Sequence, residues 1–213
     1  MSEAADFIDA ALHREASWER ADALNALDDG LRYYGSSVGA VRGTVRDASR
    51  KFRGMDRQDV LFLSAELWFE PVFERRLAAV VLLQSSVSLL RHSDLARLER
   101  YVRDSRRESL VDPVAVDVVG PLAARLTGPE RSHAEEVLDR WAASADPWLR
   151  RAALLAPLRE LRSGEGDGDA FLRRAHLVLE KNDDGGPVRG AFEVLHAELG
   201  KRRPELLVEL PQS

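Results

Sequence analysis

Apolar residues recur along this chain at intervals of three and four positions, the spacing that places side chains on one face of an α-helix. The stripe formed by Leu61, Ala65 and Trp68 is one example. Alternation of apolar and polar residues, the pattern of a half-buried strand, is nearly absent. The pattern therefore predicts an all-α fold.

Short breaks with recognisable start signals separate the predicted helices. Gly128-Pro129 opens a run of helix-forming residues, and Asp146-Pro147 has the form of an N-cap followed by proline at the first helical position. Two looser stretches, 163–169 and 182–187, are predicted to be connecting loops. Helices joined by short turns, recurring at roughly the spacing of HEAT-type repeats, predict an α-solenoid of antiparallel pairs with one concave face. A plain helical bundle is the alternative that the pattern leaves open.

Length and composition predict one domain over residues 1–213, because 45% hydrophobic residues can bury a substantial core. No apolar run approaches a bilayer span, and the first thirty residues lack the basic and apolar segments of a secretion signal. Cysteine is absent and the five histidines are scattered, so we expect neither disulfides nor a metal or other cofactor. We therefore expect a cytoplasmic protein without membrane segments.

Charge is segregated along the chain. Residues 1–30 hold eight acids against two arginines, a net charge of −6, whereas residues 31–57 hold seven basic residues against two acids, a net charge of +5. The whole chain carries −5, but nucleic acid responds to local potential rather than to the sum. We interpret residues 1–30 as acidic N-terminal helices that cap the domain; a docking surface is the other role open to them.

Three arginines in the basic segment form a stripe. Arg42, Arg46 and Arg50 are four residues apart, so they lie along one face of a helix. Such a row of fixed cations suits a line of phosphates. A solvated helix face explains the same pattern equally well.

Two further positions have ordinary structural explanations. Arg151 and Arg159 lie on the helical segment begun by Asp146-Pro147, where an arginine beside a core stripe is usually a surface residue or the partner of a carboxylate. Asp112 directly precedes Pro113, which is typical of an N-cap. Periodicity alone cannot exclude these interpretations.

Five stretches, in order along the chain, are similar to the AlkD-like DNA alkylation-repair glycosylases. The most specific is the run from Trp141 to Ala153, with Ser144-Ala-Asp-Pro-Trp148 inside it. The others are Tyr33-Tyr34-Gly35 to Arg42, Ala65 to Trp68 with Phe73 to Ala79, Leu110-Val-Asp112 with Gly120-Pro121, and Arg189 to Pro204. The resemblance spans most of the chain.

This resemblance implies a monomeric HEAT-like solenoid that cradles duplex DNA in a basic concave face. It implies a monofunctional glycosylase that excises cationic N3- and N7-alkylpurines without flipping the base out. The cationic base leaves without a general acid, and the sugar becomes oxocarbenium-like as the bond breaks, so a nearby carboxylate can stabilise it. No cofactor is implied.

Carried over by residue, the family's catalytic aspartate falls on Asp112, which would stabilise the sugar cation and orient water. Its phosphate-binding arginine falls on Arg151, and a further basic DNA contact falls on Arg159. Two tryptophans of the family's cleft are replaced by Glu108 and Val194. A negative charge at Glu108 is expected to weaken binding to a phosphate backbone.

Three hypotheses follow. The first is an active glycosylase that depends on Asp112, and the second is a catalytically impaired HEAT-like scaffold that binds DNA or a protein. The third is a glycosylase specialised for bulky adducts, whose cleft needs less aromatic closure. The retained Asp112 and Arg151 favour the first, because removing supporting groups usually slows catalysis without abolishing it.

Overall fold

The computed structural model describes residues 2–181 and 186–210, so part of the loop predicted at 182–187 lies outside the described residues. Within these ranges the chain is helical with no β-strand, apart from an isolated bridge between Arg32 and Val72. The prediction of an all-α fold is confirmed. No helix in the described part of the chain is long and apolar enough to cross a bilayer. The chain divides into two compact units, the first ending at Leu89 and the second beginning at Leu90.

The first unit contains five α-helices. They are α1 (Glu3–Arg14), α2 (Trp18–Asn25), α3 (Val38–Lys51), α4 (Arg57–Phe69) and α5 (Phe73–Ser85). Helices α4 and α5 follow each other across a short turn and pack closely, while α3 packs on α5 and α1 packs on α3. Residues 1–30 are therefore largely helical, as predicted, and their role as a cap stays a prediction.

Buried charges organise this first unit. Glu74 is 1% exposed, and its carboxylate accepts the backbone N–H groups of Tyr34 (3.0 Å) and Gly35 (2.8 Å). The buried Arg75 donates to Asp9 Oδ1 at 2.7 Å, and the Tyr34 hydroxyl donates to the same oxygen. Two of the stretches that carry the family resemblance thus hold each other in place.

The second unit is built around one helix. Its α-helices are α6 (Leu95–Ser105), α7 (Glu108–Val114), α8 (Gly120–Arg125), α9 (Gly128–Ala142), α10 (Pro147–Leu155), α11 (Leu158–Ser163), α12 (Gly168–Leu179), α13 (Pro187–Leu199) and α14 (Pro204–Val208). Helix α10 contacts α6, α7, α9, α12 and α13. Its start is as predicted: Pro147 is the first residue, and the Asp146 side chain accepts the N–H of Trp148 at 3.0 Å.

The N-cap interpretation of Asp112 is wrong. Helix α7 begins at Glu108, which places Asp112 in its second turn and Pro113 inside the helix. Leu110, Val111 and Val114 are all completely buried, and their packing outweighs the hydrogen bond that proline cannot donate. A turn of π-helix, Ala115–Val119, follows directly and leads into α8.

Gly120 permits a close approach at the junction of the π-turn and α8. A Cβ atom on this residue would overlap the backbone carbonyl oxygen of Ala156, which lies between α10 and α11. The φ angle of Gly120 is −58°, an ordinary helical value, so space rather than backbone conformation requires glycine here.

We predict that Gly120→Ala lowers the free energy of unfolding by about 3 kcal/mol, since backbone atoms on both sides must move. The matched control is Gly39→Ala on α3, where an added Cβ would make only ordinary contact with Ser37 Oγ. This control should be neutral or slightly stabilising. Urea denaturation of both variants measures the difference, and equal stability would contradict the close-approach argument.

Candidate functional site

Asp112 and Arg151 form a bidentate ion pair in the second unit. Arg151 projects from α10, and its Nε donates to Asp112 Oδ1 at 2.6 Å while its Nη2 donates to Oδ2 at 2.7 Å. Planar guanidinium and carboxylate groups match in this geometry, which fixes the orientation of both. The Asp112 carboxylate is therefore held rigidly at the surface of α7, with 27% of its side chain exposed.

Glu108 contacts the same guanidinium from one helical turn earlier. Its Oε1 lies 3.0 Å from Arg151 Nη1, and its side chain is 58% exposed. The same Nη1 also donates to the backbone oxygen of Pro187 at 2.8 Å. Nε, Nη1 and Nη2 of Arg151 all contact protein acceptors, and the side chain is only 1% exposed. We call Glu108, Asp112 and Arg151 the carboxylate cluster.

Helix α13 approaches this cluster at Gly190. A Cβ atom on Gly190 would lie 2.8 Å from both Arg151 Nη1 and Glu108 Oε1, so a larger residue there would displace the ends of these two side chains. Val194 follows one turn later on the same helix and is partly exposed. Gly190 and the Pro187 carbonyl were not predicted as part of the site, because neither a glycine in a helix nor a backbone oxygen has a distinctive sequence signal.

The cluster carries a net charge of −1, from two carboxylates and one guanidinium. Its exposed atoms belong to the carboxylates, whereas its positive charge is buried. Arg151 as a phosphate clamp stays a prediction; in this arrangement its guanidinium donates to protein instead. The geometry provides an oriented carboxylate that can stabilise a cation.

The other predicted DNA contacts lie on exposed helix faces. Arg159 is exposed on α11 in the second unit, so the prediction that it shares one helix with Arg151 is wrong, because α10 ends at Leu155. The stripe on α3 in the first unit, Arg42, Arg46 and Arg50, is exposed. Asp47 Oδ1 lies 3.9 Å from Arg46 Nε and 3.6 Å from Arg50 Nη1. Exposure fits both a phosphate-binding stripe and a solvated face, so the two interpretations stay open.

A cavity of about 230 Å³ lies elsewhere in the second unit, lined by residues that include Gly120, Leu138, Glu160 and Arg174. Glu160 Oε2 is buried and has no hydrogen-bond partner among the described residues. Burial raises the pKa of the Glu160 carboxyl, although Arg159 and Arg131 act in the opposite direction. The described residues contain no group of histidines and carboxylates that could hold a metal ion.

The fold and the carboxylate cluster define an α-helical protein with an acidic, arginine-oriented site. The sequence model of the family described as DNA alkylation repair enzyme matches residues 8–207. The chain therefore belongs to that family, and the resemblance deduced from the sequence is confirmed. Comparison with curated proteins gives no match.

We predict that Glu160→Gln stabilises the protein at pH 7. The folded-state pKa of Glu160 is raised, so the fold favours its protonated form and loses stability as pH rises through that pKa. The gain should vanish below the ordinary glutamate pKa of about 4.3, where both states are protonated. Urea midpoints of the wild type and the variant, at pH 7 and at a pH below the ordinary glutamate pKa, measure this effect.

The matched control for this prediction is Glu136→Gln, an exposed position on α9. Its effect on stability should be small and the same at both pH values. A Glu160→Gln protein that is less stable than the wild type at pH 7 would contradict the burial argument.

Proposed function

We propose that this protein is a monofunctional DNA glycosylase that hydrolyses the N-glycosidic bond of cationic N3- and N7-alkylpurines in duplex DNA. One observation carries the proposal: Asp112 is a partly exposed carboxylate held in one orientation by a buried arginine. Membership of the DNA alkylation repair family supports alkylated DNA as the substrate. The proposal takes the protein to act as a cytoplasmic monomer without a metal or cofactor.

The chemistry requires little from the protein. An alkylated purine is already positively charged, so the electrons of the breaking C1′–N bond neutralise the base as it leaves. The sugar becomes oxocarbenium-like, and a water molecule adds to C1′ and loses a proton. Asp112 is suited to stabilise the sugar cation and to accept a hydrogen bond from that water. Arg151 acts as a positioning residue, because it orients Asp112 without needing to touch DNA.

Binding to undamaged backbone is assigned to exposed arginines. The stripe Arg42, Arg46 and Arg50 on α3 presents three fixed cations, and Arg159 adds an exposed cation on α11. Phosphate contacts of this kind position a protein on duplex DNA without reading its sequence. They support the DNA-bound state that the proposed reaction needs.

The second candidate is a DNA-binding scaffold of the same family that has lost base excision. Two observations favour it. The guanidinium of Arg151 is fully engaged by protein acceptors, and a negative charge stands at Glu108 where the family resemblance expects an aromatic ring. The two candidates differ in one measurable property, the release of an alkylated base.

The test of the proposed reaction is release of 7-methylguanine from a duplex containing one such base. We expect activity in the wild type and a loss of about a hundredfold in Asp112→Asn, because an electrostatic stabiliser of the transition state is removed. Strand breakage after alkali treatment measures release. No release by the wild type from N7- or N3-alkylated duplexes would favour the scaffold.

Asp112→Asn also removes the bidentate one of two carboxylates from a buried arginine, which should destabilise the fold by up to about 3 kcal/mol. The matched control is Asp139→Asn, because Asp139 Oδ1 lies 2.8 Å from Nε of Arg174, another arginine that is 3% exposed. Both variants should melt at lower temperatures, but only Asp112→Asn should lose activity while folded. Equal losses of activity would contradict the catalytic role.

The DNA-binding role of α3 is tested by replacing Arg42, Arg46 and Arg50 with glutamine together. Affinity for undamaged duplex should fall, and the slope of log K against log salt should become shallower by about 3, since three phosphate contacts are lost. The control replaces Arg14 on α1 and Arg97 and Arg100 on α6 with glutamine, which removes the same amount of charge from other helices. An equal change of slope in both triple variants would favour the solvated-face interpretation.

A further inference from the structure

We propose that Glu108 determines substrate charge specificity: with Asp112 it forms a two-carboxylate site that prefers a cationic group over a neutral one. The inference rests on the proposed function for its natural substrate. It assigns to Glu108 a role in selecting cationic ligands, at a position where the family resemblance expects tryptophan.

Helical spacing brings the two carboxylates together. Glu108 and Asp112 are four residues apart on α7, so their side chains lie on one face of the helix. Both contact the Arg151 guanidinium: Glu108 Oε1 lies 3.0 Å from Nη1, and Asp112 Oδ1 lies 2.6 Å from Nε. One positive charge is shared by two negative ones, and one negative charge is left uncompensated.

Burial decides which sign of charge an incoming group meets. Arg151 is 1% exposed, whereas Glu108 is 58% exposed and Asp112 is 27% exposed. A ligand therefore meets carboxylate oxygens and no free guanidinium. Such a surface attracts a cation and repels an anion, because charges close to a protein surface are screened less than charges in bulk water.

Glycine at position 190 of α13 leaves space beside the Glu108 carboxylate. Any other residue there would place a Cβ atom 2.8 Å from Glu108 Oε1 and from Arg151 Nη1, and these side-chain ends would have to shift. Glu108 is 58% exposed, so solvent screening limits what its pairing with Arg151 contributes to stability. The contact of Glu108 with Arg151 therefore matters chiefly for where the Glu108 charge is placed.

A carboxylate also recognises cations differently from an aromatic ring. The face of tryptophan attracts a cation through its quadrupole, which requires close stacking, and it packs against neutral groups as well. A full negative charge acts over a longer distance and distinguishes charged from neutral targets more strongly. The carboxylate cluster should thus favour purines and sugars that carry positive charge over neutral lesions of the same shape.

The experiment uses two duplexes that differ at one residue. One contains a pyrrolidine abasic analogue, which is cationic at neutral pH, and the other contains the neutral tetrahydrofuran analogue. Fluorescence anisotropy at fixed salt gives the dissociation constant of each duplex, and their ratio is the charge preference. Neither analogue can be cleaved, so the readout does not depend on catalysis.

We expect the wild type to prefer the pyrrolidine duplex, and Glu108→Gln to reduce that preference about fivefold to tenfold. Glu108→Gln should bind the tetrahydrofuran duplex as well as the wild type or better, because a charge that repels phosphates is gone. The matched control, Glu136→Gln on α9, removes an exposed carboxylate and should retain the full preference.

Two outcomes would overturn the inference: a wild type without charge preference, or a Glu108→Gln protein with unchanged preference. An unchanged preference with an equal loss of affinity for both duplexes and a lower melting temperature indicates a structural role only. Failure of the proposed function would give a different result from failure of this inference. A wild type that shows the preference, weakened by Glu108→Gln, but releases no alkylated base refutes the glycosylase and supports the cation site.

Discussion

The buried guanidinium of Arg151 holds three helices of the second unit together. A charge taken out of water must be matched by well-placed acceptors, and two helices supply them to Arg151 on α10: α7 gives two carboxylates, and the first residue of α13 gives a backbone oxygen. These contacts tie α7 and α13 to α10, the helix that contacts most of the unit. Asp112 makes the shorter, bidentate contact with this guanidinium, so its loss should affect the fold more than loss of the exposed Glu108.

Buried arginines recur in this role. Arg75 pairs with Asp9 in the first unit, and Arg174 pairs with Glu135 and Asp139 in the second. Arginine suits these positions because its planar group makes several directed hydrogen bonds and stays charged when buried. Arg174 also contacts two carboxylates on one helical face, but those carboxylates pair with Arg131 and Arg173 as well. The Arg151 pair is the candidate for chemistry because its aspartate stands where the family resemblance places the catalytic carboxylate.

The sequence predicts the features that depend on local interactions. Helical spacing gave the all-α class, and Asp146-Pro147 gave the start of α10, because capping involves residues two or three apart. The same reasoning failed at Asp112, where the proline that suggests a cap is carried inside a helix by buried neighbours. Glu108 was noticed only through the family resemblance. Its contact with Arg151, the carbonyl of Pro187 and the space left by Gly190 all depend on long-range packing, which no local pattern encodes.

In the proposed reaction, the carboxylate cluster would link recognition to catalysis. A cationic alkylpurine would be attracted in the ground state, and the charge would then move to the sugar as the bond breaks, so the same carboxylates would act on both. Attraction that is equal in the ground state and the transition state would speed binding without speeding the reaction. The proposal assigns the transition state to Asp112, because Arg151 fixes the orientation of its carboxylate. It assigns recognition to Glu108, whose side chain is more exposed. Under this proposal, glutamate at a position where the family resemblance expects tryptophan changes which substrates are selected more than how their bond is broken.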